Sequence, residues 1–284
     1  MEYHKSCKRI VSKIALGIIL PGLIIFIWHI ASRSGSAVIP TVGEVVDVLI
    51  YPFRSPPNLD SKPLLDSVLI SVSRVLLGYI LAVFTAVPLG ILMGRLAWVN
   101  RLCLPLIEIF RPICPIAWLP VAIVFFGFTS LSNVLVSKDA WRYDFLDQLQ
   151  LAMIAVIWWG ASFPILLNTV YGISNVRVLY IESAHTLGAN KWQVFKKVII
   201  PAALPSIMTG LRVGMGIAWM VIIAAEIFPG TRAGLGYMII TSHQVAEYQY
   251  AFACIIVIGL LGLVINFILQ KISDYVSRWQ QKER

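Results

Sequence analysis

A chain of 284 residues that is 58% hydrophobic and 13% charged lies far from the roughly 25% charged residues of a soluble globular domain. The net charge of +9 would suit anionic lipid or nucleic acid, but the 23 Lys and Arg residues are set between apolar runs, which points to membrane topology and away from nucleic acid. Cys7, Cys103, Cys114 and Cys254 form no C-x-x-C pair, so neither a zinc site nor a disulfide framework is supported.

Lys5, Lys8, Arg9 and Lys13 precede the first apolar stretch. This start fits either a signal peptide or a retained first span. His29-Ile-Ala-Ser-Arg33 makes a poor cleavage site and the apolar run is long, which favours the span. Hydropathy then places six spans near 14–31, 67–93, 102–128, 149–173, 206–228 and 250–270. Backbone groups in lipid must be satisfied within their own segment and no run alternates with a period of two, so the expected fold is an all-α membrane protein. With the N-terminus inside, the inside segments carry 14 Lys and Arg and the outside segments 6, which puts both termini in the cytoplasm.

The organisation follows from these spans. Residues 1–65 hold a cytoplasmic segment, the first span and an external loop; 66–272 form the core, with an inside loop at 174–205; and 273–284 form a cytoplasmic tail. In the external loop, turn signals flank a short helix at 42–50. Pro105 through Pro120 interrupt the third span, which is therefore expected to be irregular and packed against protein. Gly90 with Gly94, and Gly210 with Gly214, have the spacing that lets membrane helices approach closely.

The inside loop reads as helix, turn, helix. Residues 177–187 are good helix formers, Gly188 suits a left-handed terminator, and Asn190 with Gln193 resembles a capping box. Trp192, Phe195, Val198 and Ile199 are expected on one face of the second helix. Two uses fit such an elbow: a docking element for a soluble partner, or a basic loop lying along headgroups.

Glu182-Ser-Ala, then Gly188, then Ile200-Pro201 resembles the "EAA" signature of binding-protein-dependent ABC permeases, with Ser183 in place of the usual alanine. Phe110 through Pro120, Phe163 through Thr169, and Pro201 through Glu226 resemble the nitrate, sulfonate, taurine and bicarbonate branch. The resemblance spans roughly residues 66 to 270, and 136–148 looks inserted relative to that branch. It implies a type I importer permease in the bacterial cytoplasmic (inner) membrane, in which a coupling helix transmits closure of an ATP-binding subunit. Glu182, Ser183, Ala184, Gly188, Ala189 and Trp192 then belong to the ATPase-coupling element. It further implies an extracytoplasmic substrate-binding protein and a second permease copy, in a homodimer. Cargo would be a small solute, an anion such as nitrate, sulfonate, taurine or bicarbonate, with an uncharged heterocycle left open; ATP and Mg would sit on the partner ATPase, and no cofactor on this chain.

Ionisable residues in spans are costly and are functional candidates by default. Arg111, Trp118, Arg212 and Glu226 are candidates for the translocation path. Competing readings are that Arg111 pairs with Glu108 on its own helix, that Arg212 snorkels inward, that Glu226 pairs across helices, and that Arg74 reaches the outer interface. G-x-x-x-x-G-K-[ST], H-E-x-x-H and G-x-S-x-G are all absent, so the chain reads as a transport subunit and not an enzyme. Two rivals are a membrane-embedded enzyme, for which Glu108, Glu226 and His243 would have to converge, and an ion-gradient-driven carrier, which predicts internal repeats.

Overall fold

The computed structural model describes residues 19–33, 38–132, 143–228 and 230–276. Eleven helices are used below: α1 (Ile19–Arg33), α2 (Val42–Ile50), α3 (Leu64–Arg95), α4 (Ala97–Phe110), α5 (Leu119–Phe126), α6 (Tyr143–Asp147), α7 (Leu151–Ser174), α8 (Val178–Thr186), α9 (Lys191–Ile227), α10 (Leu235–Gln244) and α11 (Tyr248–Val276). No strand forms among the described residues; a single antiparallel bridge, Ser130 to Gln150, ties the end of α5 to the start of α7.

The expected all-α membrane fold is present. Four helices, α3, α7, α9 and α11, are long and apolar enough to span a bilayer, and α4 with α5 passes the same test when the bent pair is counted as one span. Of the first expected span the described part is Ile19–Arg33, an apolar helix shorter than a bilayer crossing; its expected start at 14–18, the tail beyond Val276 and positions 136–142 of the apparent insertion lie outside the described residues. Trp28 anchors α1, donating from Nε1 to the Pro40 carbonyl at 3.0 Å and stacking on Phe252 of α11 with centroids 5.5 Å apart. The helix expected at 42–50 is α2, opened by a capping box between Thr41 and Glu44.

The third span is irregular, as Pro105 through Pro120 predict. α4 ends at Phe110, a 3₁₀ turn covers Pro115–Trp118, and the two halves of the span meet at 92°. Pro112 and Pro115 each lack the N–H that would continue the α4 ladder, so the break falls where the donors are missing. The expectation that this span is covered by protein does not hold within one chain, where Leu102, Leu106, Ile109, Val124 and Phe125 are exposed.

At the centre, α7 is clasped between α3 and α9. A Cβ at Gly90 or Gly94 of α3 would stand 2.7 Å from the Cβ of Thr169 or Ile173, and one at Gly210 or Gly214 of α9 2.7 Å from Asn168 or Ile165. All four glycines read from the sequence thus let two helices close onto α7 at backbone distance. Ala82, Ile157, Ala161, Ile165, Ala218 and Ile222 fill the space between them. α11, by contrast, turns Ile255, Leu260, Leu263 and Phe267 outward.

Candidate functional site

Three features carry chemistry: an elbow at one end of the bundle, an open cavity against α7, and a buried ion pair at the other end.

The elbow is α8, Gly188 and the first turn of α9. Arg177 precedes α8 in extended backbone, and the helix stops when Gly188 takes φ +80, with Gly188 N–H donating to the His185 carbonyl at 2.9 Å and Ala189 N–H to the Ala184 carbonyl at 3.0 Å. Asn190 then opens α9. Its Oδ1 accepts from Gln193 N–H at 2.8 Å and Gln193 Oε1 accepts from Asn190 N–H at 2.9 Å, the reciprocal cap predicted from the sequence.

No residue of α8 is buried; Val178, Leu179 and Leu187 project outward, and nothing stands within 4 Å of a Cβ placed at Gly188. Glu182, Ser183, Ala184, Gly188 and Ala189 therefore lie together on one projecting unit whose apolar groups are uncovered within the chain. Of the four residues expected on one face, Trp192, Phe195, Val198 and Ile199, the last three are half-buried. Trp192 is exposed, 5.8 Å from the Phe195 ring, and the residue that anchors the turn is Val194, which is 3% exposed. A π-turn covers Phe195–Ile199, with the Ile200 N–H donating to the Phe195 carbonyl.

The cavity measures about 590 Å³ and lies between the α4–α5 break, α7 and α9. Its wall is mostly apolar, with Ile116, Phe163, Leu167 and Met220, and its polar groups are Arg111, Asn168 and Cys114. Arg111 ends α4 at the break and is exposed. It makes no ion pair with Glu108: the pair formed by Arg74 and Glu226 is the one salt bridge among the described residues. Of the other path candidates, Trp118 sits beside the cavity in an aromatic group, 5.8 Å from Phe110 and 5.2 Å from Trp159, which in turn meets Phe163 at 5.2 Å. Arg212 is half-buried, its Nε has no hydrogen-bond partner, and it does not line the cavity.

Glu226 is sealed away from the cavity, with no accessible surface. Its Oε1 accepts from Arg74 NH1 at 2.7 Å and from Ser71 Oγ at 2.8 Å, and its Oε2 accepts from Gly236 N–H at 3.0 Å. Arg74 also donates from Nε to the Gln148 carbonyl at 2.9 Å and from NH1 to the Ala233 carbonyl at 3.0 Å. The reading of Arg74 as an interfacial cation is thus corrected. It crosses to Glu226 because each charge is the other's compensation inside the bundle. The carboxylate also sits at the N-terminus of α10, so one pair ties α3, α9, the segment before α7 and α10 together. The reading that Glu226 pairs across helices holds, with Arg74 as the partner that sequence reasoning did not name, although an isolated Arg and an isolated Glu in separate spans are natural complements.

His243 stacks edge-on against Tyr248 at 5.9 Å and does not join Glu226 or Glu108, so the convergence that a membrane enzyme would need is not built. No group of three potential metal ligands occurs among the described residues.

Comparison with known proteins agrees with this architecture. The chain is 41% identical over 99% of its length, and 99% of the relative's, to a putative ABC transporter permease protein of Methanocaldococcus jannaschii. It is 34% identical over 93% of its length, and 89% of the relative's, to the bicarbonate transport system permease protein CmpB of Synechococcus elongatus. Its fold matches the inward-facing MetNI methionine ABC transporter with a TM-score of 0.59 at 18% identity, over 75% of this chain and 95% of that one. Residues 86–282 match the model of the binding-protein-dependent transport system inner membrane component, and the chain belongs to that family of ABC importer permeases.

Proposed function

We propose that this permease imports a small anion, that it works as a homodimer, and that the elbow faces the cytoplasm to seat the ATP-binding subunit, which carries ATP and Mg. The carrying observation is the elbow itself: a rigidly capped helix pair whose Leu179, Leu187 and Trp192 have no cover within the chain. Glu182, Ser183, Ala184, Gly188, Ala189 and Trp192 are the contact set of this reading. The 14 to 6 bias of Lys and Arg supports the orientation.

The second copy is argued from the broken span. Exposed Leu106, Ile109 and Phe125, with Met220 on the cavity rim, form an apolar face onto which the cavity opens, and a two-fold partner on that face would close the path. An extracytoplasmic binding protein delivers cargo at the opposite end, near α10. Closure of the ATP-binding subunits draws the elbows together and opens the path outward; hydrolysis resets it.

Arg111 supports an anionic cargo, being the one charged side chain that lines the cavity. Such a cation would lower the cost of carrying a carboxylate, sulfonate, nitrate or bicarbonate past an apolar wall. The name of the cyanobacterial relative, a bicarbonate permease, points the same way. Arg111→Gln is expected to cut ATP-driven anion uptake about tenfold or more, since a charge-assisted hydrogen bond is lost, while the complex still assembles. Assay of uptake in vesicles beside recovery of the complex from membranes checks this. Disappearance of the complex would instead make Arg111 part of the scaffold.

A further inference from the structure

On the elbow side, a second cavity of about 470 Å³ lies between the end of α3 and the start of α9. Its floor is Ile91, Leu92 and Leu96, and at its edge stand Arg95 and Lys191 with Trp192. The Arg95 guanidinium rests 4.6 Å from the centroid of the Phe195 ring, which holds it over the groove. Neither Arg95 nor Lys191 has a carboxylate partner among the described residues.

The depth of this groove follows from where the apolar run of α3 stops: hydropathy carries that span to 93, so Arg95, and Lys191 lining the same groove, stand just past the hydrocarbon edge. Two unpaired cations at headgroup level above an apolar floor complement an amphiphile with a negative head. A free inorganic anion would leave Ile91, Leu92 and Leu96 uncovered.

We propose that this groove binds an acidic phospholipid, with its phosphate between Arg95 and Lys191 and an acyl chain along Ile91 and Leu92. The lipid would brace the turn at which the elbow joins α3, so that bilayer charge bears on the element that moves.

The test is native mass spectrometry of the full chain, released from detergent and titrated with phosphatidylglycerol or phosphatidylcholine. Phosphatidylglycerol adducts should persist at concentrations where phosphatidylcholine adducts do not. The double variant Arg95→Gln, Lys191→Gln should weaken phosphatidylglycerol binding roughly thirtyfold, because each cation near an anionic headgroup contributes comparably. A charge-matched control, Arg101→Gln with Lys271→Gln, removes two cations outside the groove and should change binding less than about twofold. Equal binding by wild type and the groove variant would overturn the proposal. So would displacement of the lipid by inorganic phosphate, which would make this a free-anion site, or loss of the lipid on dimerisation, which would assign the groove to the second copy.

Discussion

Glu226→Ala is expected to remove most of the permease from the membrane. The substitution leaves the Arg74 guanidinium buried with only the Gln148 and Ala233 carbonyls as acceptors, and frees Ser71 Oγ and the Gly236 N–H. Breaking a buried pair from one side costs about 3–5 kcal/mol, a large part of the 5–15 kcal/mol that holds a typical fold together. Removing both charges together should be milder, because a buried pair exchanged for apolar groups of similar volume is often close to neutral. Arg74→Met with Glu226→Leu is therefore expected to recover folded protein beyond Glu226→Ala, though not to the wild-type level, since α10 still loses its N-terminal carboxylate. Thermal aggregation of the detergent-solubilised chain, with yield per membrane, measures all three. A single variant as stable as wild type would show that the pair is not a keystone of that end of the bundle.

The second large effect concerns coupling. Gly188 has φ +80, so any residue with a Cβ placed there bears a backbone penalty of about 1–2 kcal/mol, whatever its size. The chain itself imposes no further penalty, because the space around that Cβ is open. Gly188→Ala and Gly188→Arg should therefore fold about equally well and differ only in what they present to a partner. The account expects Gly188→Ala to retain association with the ATP-binding subunit and most uptake, and Gly188→Arg to lose both by at least about tenfold. Asn tolerates the left-handed region, so Gly188→Asn should behave at least as well as Gly188→Ala. Pull-down of the co-expressed subunit distinguishes them, and equal binding by Gly188→Ala and Gly188→Arg would remove Gly188 from the contact.

Elements whose signals are local were legible from the residues. The Asn190–Gln193 cap, the Gly188 terminator and the break at Pro112 and Pro115 each depend on a few neighbouring residues, and each forms where the sequence places it. The two pairs of glycines were also readable, although nothing local says that both would face α7. Long-range chemistry was less so. The Arg74–Glu226 bond joins residues 152 apart, and hydropathy assigns each to the end of its own helix without pairing those ends. The π-turn itself was not foreseen, because a regular 3.6-residue period was carried through Phe195–Ile199. Cavity members from different elements, such as Arg111 at the break, Phe163 of α7 and Met220 of α9, come together only once the broken span and α9 pack on α7.

The central claim is that this chain conducts solute only when driven by a separate ATP-hydrolysing partner. The most direct test is uptake of labelled bicarbonate, nitrate and taurine into vesicles holding the chain alone, or the chain with its co-purified ATP-binding subunit, binding protein and internal or external ATP. Uptake of one of these solutes is predicted only in the complete assembly with ATP on the elbow side, and none with ion gradients alone. Gradient-driven uptake by the isolated chain would contradict it and return the protein to the class of secondary carriers.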